Sequence, residues 1–193
     1  MMTTLTSYSQ EYWDSYYGGP YETTYKYGFP LARIIEREWA AVYSEPPRSF
    51  ADIGCGPGHT LIEAQSLLPP NALVYGVEIQ QLPEARTVSK NIYFGDFMTI
   101  YPQLPKVDLL YVACSMYIPW DKQAEFLVAT LALAGKAVVF ANVYLEDGLS
   151  IPDDSMRRSI YRDRDSFRKA AEAMGYSFRG SRSMDFFTPP LLD

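Results

Sequence analysis

Apolar residues along the chain fall into two patterns, short continuous runs and longer stretches with helical spacing. The runs predict buried strands, because a strand inside a parallel sheet is apolar on both faces. The first begins at residue 49, and the others are expected over 72–79, 91–97, 107–114 and 136–144, with one or two more between 176 and 187.

Helical spacing of apolar residues predicts the remaining elements over 31–43, 61–68, 122–134 and a last stretch ending at 174. Asp121 is expected to cap the third helix and Gly135 to stop it, whereas Asp163 or Asp165 caps the last helix and Gly175 ends it. A loop is expected over 145–160.

The order of these elements predicts the fold class. A strand, a helix and a second strand within about thirty residues form a βαβ unit with a right-handed crossover and parallel strands. The next connection, 80–90, is short and contains Pro83, which predicts only a turn or two of helix. We therefore expect an α/β protein with a doubly wound, mostly parallel Rossmann-like sheet and helices on both faces.

The first thirty residues are unusually rich in aromatic side chains, and breakers such as Gly18-Gly19-Pro20 divide them into short pieces. Because so many rings must be covered, we expect an aromatic-rich N-terminal flap that packs on the main domain. A second interpretation, compatible with the first, is that some of these rings also line a substrate pocket as a lid. The expected organisation is a flap and helix over 1–46 and a Rossmann-like domain over 47–193, together one compact single domain.

Charge and composition narrow the class of protein. The formal net charge of −6 argues against a protein that wraps nucleic acid through a broad basic surface. No apolar stretch is long enough to cross a bilayer, and the start lacks the pattern of a signal peptide, so a cytoplasmic protein without membrane contact is expected. The two cysteines, Cys55 and Cys114, have no metal-binding spacing. A monomer or homodimer without a metal is expected.

The stretch after the first strand carries the chemistry. Glycines at 54, 56 and 58 lie between that strand and a helix, and glycine lets a ligand approach bare backbone. The spacing differs from the dinucleotide-binding pattern, and no Lys follows the last glycine as in a phosphate-binding P-loop. Asp52 stands just before the glycines, where a carboxylate would repel a phosphate. The loop therefore favours a cofactor with no phosphate and with a positive end.

Two further acids follow at the ends of predicted strands. Glu78 lies about twenty residues after the last loop glycine, where a ribose is bound in nucleotide-binding sheets. Asp96 lies at the end of the third predicted strand. Taken singly, an acid at a strand end is often a turn former or a helix cap. Three acids and three glycines are expected at one crevice.

Segments 51–58, 76–78 and 95–97 resemble the successive cofactor motifs of class I S-adenosylmethionine-dependent methyltransferases. The resemblance implies that the 54–58 backbone approaches the methionine part and the ribose of S-adenosylmethionine (SAM), with Asp52 near the amino group or near a water that holds it. Glu78 would accept from both ribose hydroxyls, Asp96 from the adenine amine, and the Phe97 N–H would donate to the ring. The expected cofactor residues are Asp52, Gly54, Cys55, Gly56, Gly58, Glu78, Ile79, Asp96, Phe97 and Ala113.

The methyl acceptor is less well defined by the sequence. The segment after the fourth strand, 115–120, lacks both the tetrapeptide of amino-methylating DNA enzymes and the paired glutamates of arginine methyltransferases. We therefore expect transfer to an O or N nucleophile of a small molecule or short peptide, with no residue identified as a catalytic base. A local contact is the simpler interpretation of His59, which is kept only as a candidate base. The expected pocket residues are Tyr12, Trp13, Tyr16, Tyr17, Ser115, Tyr117 and Trp120.

Two alternatives remain open. One is methylation of RNA or protein, for which the basic cluster Arg157, Arg158, Arg162, Arg164, Arg168 and Lys169 would supply a surface, although interleaved aspartates make a solvated helix face the simpler interpretation. The other is a non-catalytic SAM-binding protein that keeps the fold without transferring a methyl group.

Overall fold

The computed structural model describes residues 31–79, 81, 87–113, 122–141, 164–181 and 184–190. Within these residues, seven strands form one sheet. The strands are β1 (Ser49–Ile53), β2 (Leu73–Glu78), β3 (Ile92–Phe94), β4 (Val107–Ala113), β5 (Ala134–Ala141), β6 (Ser177–Ser181) and β7 (Met184–Thr188). The helices are α1 (Leu31–Arg33), which continues as a π-helical segment (Ile34–Trp39), α2 (His59–Leu67), α3 (Phe97–Ile100), α4 (Gln123–Leu133) and α5 (Arg164–Ala173).

The strands lie in the order β3-β2-β1-β4-β5-β7-β6. Strands β1 to β5 are mutually parallel, and β7 runs antiparallel to both of its neighbours. The chain moves outward from β1 to β3 and then restarts on the other side of β1 with β4. This reversal opens a crevice at the carboxyl ends of β1 and β4, which is where open α/β sheets bind ligands.

Apolar side chains cover both faces of the sheet. One core cluster joins Phe50 of β1 with Leu61 of α2 and Trp39 of the π-helical segment, and the other contains Phe126 of α4 and Phe167 of α5. Successive strand residues point to opposite faces, so a strand apolar at every position needs helices on both sides. The predicted fold class, a doubly wound and mostly parallel sheet, is confirmed.

Three predicted boundaries change for physical reasons. The third strand ends at Phe94 and not at residue 97, because Asp96 caps α3: its carboxylate accepts from the Met98 N–H at 3.0 Å. Gly135 does not stop α4 but lies inside β5, which begins directly after Leu133. Helix α1 with its π-helical continuation ends at Trp39 rather than at residue 43. Gly175 follows the end of α5 with a φ of 86°, so its predicted role as helix stop is confirmed.

Other predictions lie outside the described residues. These are the flap over 1–30, most of the connection 80–90, the loop over 145–160 and Asp121; the residue at the cap position of α4 is Lys122. The division at residue 46 remains a prediction. Among the helices described, none is sufficiently long and apolar to cross a membrane.

A buried ion pair joins α5 to β7. The guanidinium of Arg168 donates from Nε to both carboxylate oxygens of Asp185, at 3.2 and 3.1 Å, and Asp185 is fully buried. Gly180 lies opposite Asp185 in register on β6, where an added Cβ would come within 3.1 Å of the guanidinium. The guanidinium also lies 4.5 Å from the Phe178 ring centre. Because Gly180 has no side chain, this position leaves room for the ion pair.

Removing one partner of this pair is expected to destabilise the fold. Asp185→Ala leaves the Arg168 charge without its buried partner and should lower the free energy of unfolding by roughly 3–5 kcal/mol, measured by urea denaturation. Glu45→Ala is the matched control, because the Arg48–Glu45 pair has both side chains more than two thirds exposed and should cost under about 1 kcal/mol. Equal losses in the two variants would contradict this assignment.

Candidate functional site

The loop after β1 turns sharply at three glycines. Gly54, Gly56 and Gly58 have φ values of 79°, 53° and 92°, in the left-handed region that residues with a Cβ rarely adopt. Helix α2 begins immediately afterwards at His59. The apolar run, the glycines and the helix therefore follow one another in space as they do in sequence.

Hydrogen bonds fix this loop to the end of β2. The N–H groups of Gly54 and Cys55 both donate to the Val77 carbonyl, at 2.8 and 3.1 Å. The Gly56 N–H donates to Oε2 of Glu78 at 2.8 Å. The Glu78 side chain is only 5% exposed. The glycine loop and the acidic end of β2 therefore form one connected unit.

The glycines differ in what surrounds them. A Cβ added at Gly58 would lie 2.9 Å from the Ser89 Cβ, and one added at Gly76 would lie 2.8 Å from the Cys55 Cβ, so both positions need glycine for packing. A Cβ added at Gly54 would meet nothing within 4 Å in the described part of the chain. The loop is therefore closely packed on one side and open at Gly54, where a ligand can approach the backbone.

Asp52, the last but one residue of β1, is a buried acid with incomplete hydrogen bonding. Its side chain is 3% exposed, and its Oδ1 has no hydrogen-bond partner among the described residues. Burial, and secondarily the charge of Glu78, raise the pKa of the Asp52 carboxyl to about 7, although a hydrogen bond with the Thr60 side chain opposes the rise. A cationic ligand group at this position would supply the missing partner.

Cys55 is a packing residue in this site. Its side chain is buried against Gly76, and its Sγ lies 3.5 Å from the Gly56 carbonyl oxygen. Burial, with the charges of Asp52 and Glu78, raises the pKa of the thiol well above its usual value, so the reactive thiolate form is disfavoured.

The end of β3 lies beside the end of β2. The Gly95 N–H donates to the Glu78 carbonyl at 2.9 Å, which brings Asp96 to the same edge of the sheet. The Asp96 side chain is exposed although one oxygen caps α3. Ile79, directly after Glu78, is 52% exposed, which is high for an isoleucine at a strand end. An acid and an apolar surface therefore adjoin Glu78 on the side away from β1.

Phe97 and Ala113 complete the described part of the expected set. The Phe97 ring is buried in the core, 5.3 Å from the Phe126 ring, so the ring itself is directed away from the edge of the sheet where Asp96 lies exposed. Ala113 is the last residue of β4 and pairs with Ala141 of β5. All seven expected pocket residues, Tyr12, Trp13, Tyr16, Tyr17, Ser115, Tyr117 and Trp120, lie outside the described residues.

The structure adds residues that sequence reasoning missed. Thr60, in the first turn of α2, is buried and hydrogen-bonds with Asp52. The segment before β3 packs against the loop, where the Val88 N–H donates to the Pro57 carbonyl at 2.9 Å and Ser89 lies against Gly58. A hydroxyl in the first turn of the helix that follows the glycine loop, eight residues after the acid, is a weak sequence signal for the Thr60 contact. The contact of the segment before β3 has no sequence signal.

His59 is exposed at the start of α2. Within the described ranges, no group of three or more histidine, cysteine and acidic side chains is placed to hold a metal ion. Two buried carboxylates at an open glycine loop are unfavourable for a phosphate and favourable for a cation. The arrangement is chemically suited to a positively charged group with hydroxyl or amine donors.

Asp52 should make the stability of the ligand-free protein depend on pH. Its folded-state pKa of about 7 lies above its ordinary value of 3.8, so the folded state binds more protons between these pH values. The free energy of unfolding should therefore fall by about 2–3 kcal/mol more in wild type than in Asp52→Asn between pH 5 and pH 8. Urea denaturation at the two pH values measures this. Parallel changes in the two proteins would show that Asp52 ionises normally.

No protein-family model matches the chain, and no curated protein matches it. Solved structures do match. Magnesium protoporphyrin IX methyltransferase from Synechocystis PCC 6803, with bound SAM, has a TM-score of 0.51 at 17% identity, over 72% of this chain and 69% of that one.

Two other matches cover more of this chain. A plantazolicin methyltransferase, in complex with a monoazolic analogue and S-adenosylhomocysteine (SAH), has a TM-score of 0.59 at 17% identity, over 90% of this chain and 80% of its own. A small RNA methyltransferase has a TM-score of 0.60 at 16% identity, over 84% of this chain and 26% of its own. The chain therefore has the Rossmann-like fold of class I methyltransferases, as its sequence motifs predict.

Proposed function

We propose that this protein is a SAM-dependent methyltransferase. The observation that carries the proposal is the pair of buried carboxylates, Asp52 and Glu78, beside an open glycine loop at the point where the strand order reverses. The unpartnered Oδ1 of Asp52 and the free space at Gly54 both fit a ligand with a positive end. Solved methyltransferases with bound SAM or SAH share this fold, which supports the same cofactor here.

In this proposal, different described residues would contact different parts of the cofactor. The loop backbone at Gly54, Gly56 and Gly58, with Cys55 packed beneath, would hold the methionine part and the near side of the ribose. Asp52 would face the ammonium group. Glu78, already oriented by the Gly56 N–H, would accept from the ribose hydroxyls.

The adenine would lie farther along the same edge. Ile79 offers an exposed apolar surface for the ring. The exposed oxygen of Asp96 would accept from the exocyclic amine, and the Phe97 N–H, at the start of α3, would donate to a ring nitrogen. Ala113 ends β4 across the crevice from the loop and would adjoin the methionine part and the acceptor.

When bound, SAM would supply a methyl group on a positively charged sulfonium, whose sulfur is a good leaving group because it departs as a neutral thioether. The chain's own contribution is then positioning and exclusion of water, and alignment of this kind is worth roughly 7–11 kcal/mol of barrier. A general base is required only if the nucleophile holds its proton at neutral pH. We therefore propose an O or N acceptor on a small molecule or short peptide, which would bind beneath the aromatic flap. The protein would act as a monomer or homodimer.

The two alternatives have less support. The basic cluster proposed for RNA or protein includes Arg168, whose guanidinium is held by buried Asp185 and stacked on Phe178. Similarity to a small RNA methyltransferase covers only 26% of that chain.

A non-catalytic SAM-binding protein would bind the cofactor but yield no product. Incubation of the protein and methyl-labelled SAM with cell extract, followed by mass spectrometry, tests catalysis. A labelled product supports the enzyme, and the absence of any labelled product contradicts it.

Binding to SAM and SAH should depend on Glu78. Removing a charged hydrogen-bond acceptor for two hydroxyls in Glu78→Gln should weaken SAH binding about 10- to 100-fold by isothermal titration calorimetry. Glu125→Gln is the matched control, since Glu125 is exposed on α4 and pairs only with Lys122 among the described residues. If wild-type protein binds neither compound, the proposed function is wrong.

The glycine loop offers a second, steric prediction. Gly54→Ala places a methyl group in the open space that the ligand would fill, so it should reduce SAH binding at least about tenfold while costing about 1–2 kcal/mol of stability from its positive φ. Gly58→Ala has the same backbone strain and also meets Ser89, so it should lose clearly more stability. Thermal unfolding and calorimetry measure the two effects. Wild-type affinity in Gly54→Ala would contradict a ligand at this position.

A further inference from the structure

Asp52 occupies an environment that disfavours a lone negative charge. It is buried on a central strand, and Oδ1 has no partner among the described residues. An ionised carboxylate with an unsatisfied oxygen in such a place is costly, and the usual response is protonation. Asp52 is therefore suited to holding either a proton or a cation at the same oxygen.

The titratable and polar groups around Asp52 also favour a state in which one carboxyl carries a proton. Strand β2 contributes the buried carboxylate of Glu78, and the loop contributes the Cys55 thiol, whose pKa is raised by burial and then by both acids. Strand β4 places Tyr111 opposite Asp52 in register. Helix α2 contributes the Thr60 hydroxyl, and its first residue, His59, is exposed to solvent. Two adjacent buried carboxylates favour a state in which one carries a proton.

We propose that Asp52 is protonated in the ligand-free protein and releases this proton to solvent when the ammonium group of the cofactor binds. This inference rests on the proposed function, because it assigns a coupled proton to the same site. The exchange balances charge: one proton leaves the carboxyl as one ammonium group arrives beside it, so the Asp52 carboxylate is ionised only when a cation adjoins it.

The coupling would act in the physiological pH range. Burial and Glu78 together raise the pKa of Asp52 to about 7, and an adjacent ammonium group lowers it again. With a free-state pKa of 7, the apparent affinity for SAH should be roughly tenfold weaker at pH 6 than at pH 7.5. An α-amino group with a pKa of about 8 is already mostly charged over this interval, so the change reports on the protein.

Calorimetric titration with SAH, which keeps the ammonium group and does not react, tests the inference directly. Runs at pH 6.5 in buffers of different ionisation enthalpy give the number of protons released, for which we expect about three quarters of a proton per site. Binding with no proton release and equal affinity at pH 6 and pH 7.5 would overturn the inference and leave the proposed function standing. No binding of SAH or SAM at either pH would overturn both.

Two controls locate the proton. Asp52→Asn should abolish proton release while the protein still folds, whereas Glu125→Gln, at an exposed acid on α4 outside the site, should leave the number of released protons unchanged. Unchanged proton release in Asp52→Asn would overturn the assignment to Asp52. The carboxyl carbon resonance of Asp52 in wild-type protein needs no variant: it should titrate near pH 7 without ligand and show an ionised carboxylate with SAH, and an ionised carboxylate in both states would overturn the inference.

Discussion

The hydrogen bond from the Gly56 N–H to the Glu78 carboxylate connects the two parts of the site that the sequence separates by about twenty residues. Because this oxygen is engaged by the loop, the carboxylate has a fixed orientation at the end of β2. The same strand holds the loop again through the Val77 carbonyl. A ligand across the loop therefore meets a polar edge oriented before it arrives, which reduces the ordering cost of binding.

Burial of acids at this edge has an electrostatic consequence. Asp52 and Glu78 each disfavour the other's charge, and Asp52 also lacks a full set of hydrogen bonds. In most proteins a buried polar atom without a partner is rare. Here it lies two residues before Gly54, where an added Cβ would meet nothing within 4 Å among the described residues, so incomplete hydrogen bonding and free space occur close together in the chain. Both are explained by a positively charged ligand group, and neither contributes to the stability of the ligand-free fold.

Much of the fold could be predicted because it depends on local patterns. Strand β1, the glycine loop and helix α2 follow from an apolar run, glycines that adopt positive φ, and helical spacing, all within neighbouring residues. Boundaries set by competing local interactions are harder to predict. The sequence around Asp96 is equally compatible with a strand end and with a helix cap, and the cap determines where β3 ends. The contact of Ser89 with Gly58 depends on packing between distant segments, which no local pattern encodes.

A crystal structure of the chain with SAH tests the central claim most directly, since it locates the ligand relative to every residue of the site. The ribose hydroxyls should lie within hydrogen-bond distance of the Glu78 carboxylate, with the ammonium group near Asp52 and the backbone of Gly54 against the ligand. Density for SAH elsewhere on the chain would contradict the assignment. So would the absence of SAH density at the glycine loop in crystals grown at saturating SAH.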